Sequence, residues 1–275
     1  MTGPPLRPAM LLTSLQNPRI KETVKLRQRS HRDAAGLMII EGYREILRAL
    51  DNGHPPAQLF ICPALYLGEN EPALIARCAA AGAEVLECTA PVFEKLAYRD
   101  RPEGLLALAP QLTCTLENLK LPADPLVLVA ESIEKPGNLG TLLRSADAAG
   151  AHAVIVADPR TDVHNPNVVR ASTGMLFAVP LAVADTAEVL AWLRERKIRI
   201  LAATPHTDKN YTDVDMTAGV AIVVGTEQVG LSDVWMQAAD LQVRIPMLGK
   251  ADSLNVAQAA TLLLYEAVRQ RRNQS

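Results

Sequence analysis

The stretch PLVLVAESIEKPGNLGTLLRSADAAGAHAVIVA, residues 125–157, reads as a strand, a helix and a second strand. Leu126–Ala130 and Ala153–Ala157 are apolar at every position, as is GVAIVVG further on, residues 219–225. A strand wetted on one face would alternate, whereas uninterrupted apolar strands are what a parallel sheet covered on both faces requires. The helix between them, Leu139–Ala149, stops at Gly150, the residue type that most easily takes the left-handed conformation ending a helix. Strand, helix and strand in this order build an α/β layer fold.

The alternation extends outward in both directions. Downstream come helix Ala187–Arg196, strands Ile198–Ala203 and Val220–Gly225, helix Ser232–Ala238, strand Val243–Ile245 and a terminal helix Leu254–Arg271. Upstream, LTCTLENLKLPAD has no amphipathic face and is placed as a linker over 111–124, leaving domains over 12–110 and 125–275. The first domain has the apolar run Leu37–Ile40 and strands Gln58–Cys62, Val85–Glu87 and Leu105–Ala109 among helices Tyr43–Leu50, Glu71–Ala81 and Pro91–Ala97. Asn17 followed by Pro18 caps and starts a further helix, expected to run to Ala35 and stop at Gly36. Two domains suit a chain of 275 residues.

Composition narrows the function classes. With 49% apolar and 21% charged residues and no apolar stretch long enough to span a bilayer, a membrane protein is excluded. MTGPPLRPAMLL lacks the apolar core and cleavage site of a signal peptide, which points to the cytoplasm. Cys62, Cys78, Cys88 and Cys114 have no C-x-x-C or His-paired spacing, so reduced thiols and no metal site are expected. A net charge of −2 argues against coating nucleic acid through bulk charge. Locally, however, Arg19, Lys21, Lys25, Arg27, Arg29 and Arg32 face one acid, Glu22, a cluster suited to phosphates.

Three glycine-bearing segments stand at strand ends, where open α/β sheets bind ligands. ESIEKPGNLGTLLRSADAAGA carries Asn138, Gly140 and Arg144; its Gly137 and Gly140 suit a tight turn and Asn138 a cap on the following helix. VVGTEQVGLSD carries Gly225, Glu227 and Gly230, with a carboxylate just past a buried strand, where it needs partners. RIPMLGKADSLNVAQAATLLLYE places Ser253 and Asn255 at the entrance of the terminal helix, as caps or as polar groups aimed at a ligand.

In this order, N-x-G-x-x-x-R, G-x-E-x-x-G-L and I-P-M-x-G-x-x-x-S-L-N-V closely resemble the three motifs of the SpoU family of SPOUT RNA methyltransferases, over about Leu126 to Arg269. Departures are small: Glu131 stands where the family often has Asp, and Lys135 precedes Pro136. The resemblance implies a parallel sheet with a deep trefoil knot, a homodimer, and S-adenosylmethionine bound without metal, largely by backbone contacts. Carried over by position, those contacts fall on Thr204, Gly225, Glu227, Ile245, Met247, Ser253, Leu254 and Asn255. Asn138, Arg144, Glu227 and Asn255 take the catalytic positions, the reaction being methyl transfer to a ribose 2′-hydroxyl of RNA.

NPRIKETVKLRQR, MIIEGYREI and RPEGLLALA are similar to the small α/β, ribosomal-protein-like RNA-binding domain in front of many such enzymes. Arg19, Lys21, Lys25 and Arg29, with Arg170 of NPNVVRASTGMLF, are therefore the candidate RNA contacts; a solvated helix face is the alternative. The two-domain layout favours ribosomal over transfer RNA. Arg144 would act as a poised base or as a cation stabilising the developing alkoxide; an arginine, with a pKa above about 12, seldom releases a proton, which favours the cation. A dinucleotide-binding enzyme fits less well, because GNLGTLLRSADAAGA lacks the G-x-G-x-x-G spacing. A non-catalytic RNA-binding protein would not need Asn138, Arg144, Glu227, Ser253 and Asn255 together.

Overall fold

A computed structural model describes residues 10–226 and 228–273. The chain forms two compact units: residues 1–112 with 164–178, and residues 113–163 with 179–275.

The first unit contains β1 (Met10–Leu12), α1 (Pro18–Lys25), α2 (Arg29–Ala35), β2 (Leu37–Glu41), α3 (Tyr43–Asp51), β3 (Gln58–Ile61), α4 (Glu71–Ala80), β4 (Glu84–Cys88), α5 (Ala90–Leu96) and β5 (Leu105–Pro110). Its sheet runs β1-β4-β3-β5-β2, with β5 antiparallel to both neighbours and the other pairs parallel. Ile20, Ile39, Phe60, Leu86, Phe93 and Leu106 fill the core on one side.

The single helix expected over 17–35 is two. Asn17 Oδ1 does accept from Arg19 N, and Gly36 does end the run in the left-handed region at φ +63°. The helix breaks at Leu26–Gln28 because the buried Arg32 reaches back and donates to the carbonyls of Leu26 and Arg27, both at 2.9 Å. A continuous helix would spend those carbonyls on its own ladder.

The second unit holds β6 (Leu126–Glu131), α6 (Pro136–Ala148) and β7 (Ala153–Ala157). The chain then contributes α7 (Pro166–Ala171) to the first unit and returns with β8 (Leu181–Ala184), α8 (Thr186–Glu195), β9 (Arg199–Ala203), β10 (Val220–Val224), α9 (Asp233–Ala238), β11 (Leu241–Val243) and α10 (Val256–Arg272). All six strands are parallel, in the order β11-β9-β10-β6-β7-β8. Two of the strands singled out by their apolar composition, β6 and β10, are paired at the centre, as double-sided burial demands. Val127, Val129, Ile155, Ile200, Val223 and Trp235 form the core on one face. On the other, α10 packs on α6, β6 and β10, with Ser145 and Thr261 hydroxyls 2.7 Å apart.

In the 111–124 stretch, Leu116 and Leu119 are buried in the second unit's core, and Cys114 O accepts from Val183 N. The Asn167 side chain donates to Tyr98 Oη at 3.1 Å, and Arg48 donates to Thr173 Oγ1 at 2.8 Å, tying the 164–178 segment into the first unit. All four cysteines are free; burial pushes the Cys88 thiol up to about 12 and Cys78 and Cys114 to about 11, so none is a ready thiolate. Among the described residues no helix is long and apolar enough to cross a membrane, and no group of three His, Cys, Asp or Glu side chains gathers as a metal site.

Candidate active site

Strand order leaves β6 on one side through β7 and β8 and on the other through β10, β9 and β11. The order therefore reverses at the β6–β10 pair, the place where such sheets bind ligands beyond their carboxyl ends. A cleft of about 330 Å³ opens there, lined by Glu131, Lys135 and Asn138 from the β6–α6 side, Thr226 and Gly230 past β10, and Val256 at the start of α10. The three sequence motifs thus converge on one cavity.

Two contacts lock that convergence. Asn255 is the N-cap of α10, its Oδ1 accepting from Ala257 N at 2.9 Å. This fixes the amide so that Nδ2 faces Asn138, whose Oδ1 accepts from it at 3.2 Å. The second contact was missed in the sequence. Glu131, 5% exposed, ends β6 and accepts from the backbone N–H of Ser232 at 2.9 Å, tying the end of the β10 loop to the first motif. A carboxylate closing an all-apolar strand was the available signal, since a charge so buried must find a donor.

The beginning of α6 differs from the expectation. Gly137, Asn138 and Gly140 lie inside the helix, which starts at Pro136; neither glycine has positive φ, and Asn138 is not the cap. Proline at the first helical position explains this, because it needs no N–H and already has a helical φ. Lys135, the N-cap, makes no side-chain capping bond, and the first turn has no acid, so the positive end of the helix faces the cleft uncompensated from within. Arg144 is exposed, two turns into the helix.

Gly225 is crowded by its own loop. A Cβ there would lie 2.2 Å from Gly230 O and 2.6 Å from Leu231 N, so the close approach that needs glycine is to the protein's own loop. That loop is closed by Thr226 N to Gly230 O at 3.0 Å and Gly230 N to Thr226 O at 3.1 Å. Glu227 lies outside the described residues.

Thr204 follows β9, 8% exposed, its N–H bonded to Val243 O and its hydroxyl accepting from His206 N. Ile245, Met247, Ser253 and Leu254 belong to the 245–255 segment, which is neither helix nor strand. Main-chain groups outside regular structure are free to meet a ligand, and Ile245, Met247 and Leu254 are half-buried apolar side chains able to flank a purine ring. This donor set fits S-adenosylmethionine.

Three of the five predicted RNA contacts are already engaged. Arg19 pairs with Glu84 at 2.6 Å, holding that carboxyl below its ordinary pKa; Lys25 pairs with Glu22 at 2.8 Å and Arg29 with Asp33 at 3.3 Å. Arg27 donates to the carbonyls of Lys95 and Ala97 at the end of α5. These exposed pairs are weak in water and can exchange a carboxylate for a phosphate. Lys21 and Arg170 are exposed, and Arg170 belongs to the first unit with α7.

Comparison with known proteins agrees with this geometry. The model of the SpoU rRNA Methylase family matches residues 125–265, and that of the MRM3-like substrate binding domain matches residues 17–107. The 23S rRNA (uridine(2479)-2′-O)-methyltransferase of Streptomyces viridochromogenes is 35% identical over 255 residues, 90% of this chain and 87% of that protein. A crystal structure of an RNA 2′-O ribose methyltransferase is 47% identical, with a TM-score of 0.85 over 96% of this chain and 100% of its own. The AdoMet-bound rRNA methyltransferase of Sinorhizobium meliloti is 32% identical, with a TM-score of 0.86 over 95% of this chain and 98% of its own. Motifs, cleft and relatives agree, and the chain belongs to the SpoU rRNA methylase family.

Proposed function

We infer that this protein transfers a methyl group from S-adenosylmethionine to a ribose 2′-hydroxyl of RNA, with ribosomal RNA as substrate. The carrying observation is the meeting of the three motifs at the carboxyl ends of β6 and β10, joined by the Asn255–Asn138 bond. Relatives named as 23S rRNA 2′-O-methyltransferases support the reaction and the RNA class.

S-adenosylmethionine, when bound, supplies an activated methyl; Thr204, Gly225, Glu227, Ile245, Met247, Ser253, Leu254 and Asn255 are the positions proposed to hold it. The acceptor is the harder partner, because a ribose hydroxyl must lose its proton as the bond forms. Arg144 stabilises the developing alkoxide while water takes the proton, and Asn138, oriented by Asn255, positions the hydroxyl or its phosphate. Glu227, by its place in the second motif, is assigned to fixing the arginine and the cofactor loop. Holding the acceptor in line supplies much of the rate.

Residues 12–110 are the RNA-binding domain of this reading, 111–124 its linker and 125–275 the catalytic domain. The trefoil knot belongs to the same proposal, supported by β10 lying between β9 and β6 and by α10 packing on both β6 and β10 after the irregular 245–255 segment. So does a homodimer, supported by Leu262 and Tyr265, 41% and 48% exposed on α10. A cytoplasmic location accords with a ribosomal RNA substrate.

The direct test incubates the purified protein with radiolabelled S-adenosylmethionine and in vitro transcribed bacterial 23S RNA. The label is expected in RNA and, after digestion, in a 2′-O-methylnucleoside. RNA binding without labelling would favour a non-catalytic binding protein; label on a base would overturn the acceptor assignment.

Two further outcomes are expected. Asn255→Ser keeps a good helix cap but removes the amide that orients Asn138, so the melting temperature should stay within a few degrees while single-turnover transfer slows. Asn255→Ala should lose both, with roughly 1 kcal/mol of stability. Equal rates for Asn255→Ser and wild type would reduce Asn255 to a cap. Neutralising Arg19, Lys21, Lys25 and Arg29 together should flatten the dependence of RNA affinity on salt by up to about three in log–log slope. An unchanged slope returns α1 and its continuation to a solvated face.

A further inference from the structure

We propose that Arg160 is a substrate-positioning residue of the cleft, gripping an RNA phosphate beside the ribose to be methylated. The proposal rests on the reading of this cleft as the acceptor site. Arg160 lies outside the three motifs, yet it lines the same cavity as Asn138, Thr226 and Gly230. It is exposed, and among the described residues its guanidinium has no hydrogen-bond or ion-pair partner.

The loop that carries it is built to hold a position. After β7, Asp158 adopts φ +46°, and opposite it, after β6, Ser132 adopts φ +50°. Left-handed backbone at two non-glycine residues costs energy and persists only where surrounding bonds impose it. Those bonds are present. Ser132 N donates to Ala157 O at 2.9 Å and its hydroxyl to Asp158 O at 3.3 Å, while the buried Thr161 donates to Glu134 O at 2.5 Å. From the other side, the Asp158 carboxylate accepts from Thr186 N at 3.0 Å and Thr186 Oγ1 at 2.6 Å, and Thr186 Oγ1 in turn accepts from Trp235 Nε1. Residues 158–161 are thus fastened to the first-motif loop and to α8, leaving one arginine projecting at the cleft.

The other charged groups lining the cleft are Glu131, Glu134 and Lys135. Glu131 is committed to Ser232 N. A freely placed planar cation beside Asn138 suits a phosphodiester, because guanidinium offers two parallel donors to two phosphate oxygens. A carboxylate ligand would meet Glu134 without the compensating length of a polyanion. The RNA backbone supplies both the charge and the neighbour of the reacting ribose.

The test compares wild type, Arg160→Ala, Arg160→Lys and, as a charge control, Lys197→Gln. Lys197 is exposed just before β9, at the opposite, amino end of the sheet. In vitro transcribed 23S RNA serves as probe in filter binding over a salt series and in steady-state methyl transfer. For Arg160→Ala, KM for RNA should rise about tenfold and the salt slope fall by about 0.7–0.9, with cofactor affinity by calorimetry and melting temperature unchanged. Arg160→Lys should restore the slope but only part of the affinity, and Lys197→Gln should match wild type. Wild-type RNA affinity and slope in Arg160→Ala, with wild type methylating normally, would overturn this assignment alone. Loss of cofactor affinity together with a lowered melting temperature would show a structural role and overturn it as well. A wild type that transfers no methyl to the RNA would remove the reading of the cleft, and this proposal with it.

Discussion

Gly225→Val is expected to abolish measurable S-adenosylmethionine binding and to lower the melting temperature. Any Cβ at this position meets backbone, with Gly230 O at 2.2 Å, Gly230 C at 2.4 Å and Leu231 N at 2.6 Å. Backbone cannot rotate away as a long side chain can, so the reciprocal Thr226–Gly230 bonds must open. Overpacking of this kind costs on the order of 1–3 kcal/mol. The loop so displaced bounds the cleft and leads to Ser232, the anchor of Glu131. The damage is therefore conformational: Gly225→Ala should already produce much of it, whereas a pocket merely narrowed by side-chain bulk would tolerate alanine far better than valine. Calorimetric titration and thermal unfolding of both variants decide the point; intact cofactor affinity in a folded Gly225→Ala protein would sink the loop-closure argument.

The elements legible in advance were those whose cause is local. The wholly apolar β6 and β10 announced a doubly covered sheet, and Asn17 and Gly36 marked helix ends through capping and a left-handed stop. What the sequence hid was set across long separations. Arg32 breaks the α1–α2 run by taking two carbonyls, which no propensity encodes. Residues 164–178 join the first unit through Tyr98 and Arg48, about 70 and 125 positions away. β1, three residues at a sheet edge, is too short to carry a period. In the site, the motifs identified Asn138 and Asn255 as residues but not as hydrogen-bonded partners. Glu131 and Arg160 were passed over because their significance depends on what the fold places opposite them.

Arg144→Ala is expected to leave cofactor affinity nearly intact while single-turnover methyl transfer falls by at least a factor of about a hundred, the range seen when a group stabilising developing negative charge is lost. Arg144 lies six residues beyond Asn138 in α6, roughly 9 Å further along the axis. Six residues are also about one and two-thirds turns, so Arg144 leaves α6 about 120° around from Asn138 and is not among the residues lining the cleft; the acceptor ribose must reach it across the exposed face of α6. The residue is exposed, and the positions proposed to hold the cofactor are on other segments, in the loops after β9, β10 and β11. Removing its side chain therefore takes away the cation proposed to act on the acceptor without disturbing those loops. Arg144→Lys separates charge from geometry: lysine keeps the cation but loses the planar fork that can hold a phosphate and a hydroxyl together, and it should recover little activity. Full recovery by lysine would reduce the role to a point charge. Near-wild-type rates for Arg144→Ala at saturating RNA would remove the residue from the reaction and leave proton removal to groups around Asn138, which the Asn255→Ser variant would then be the first to probe.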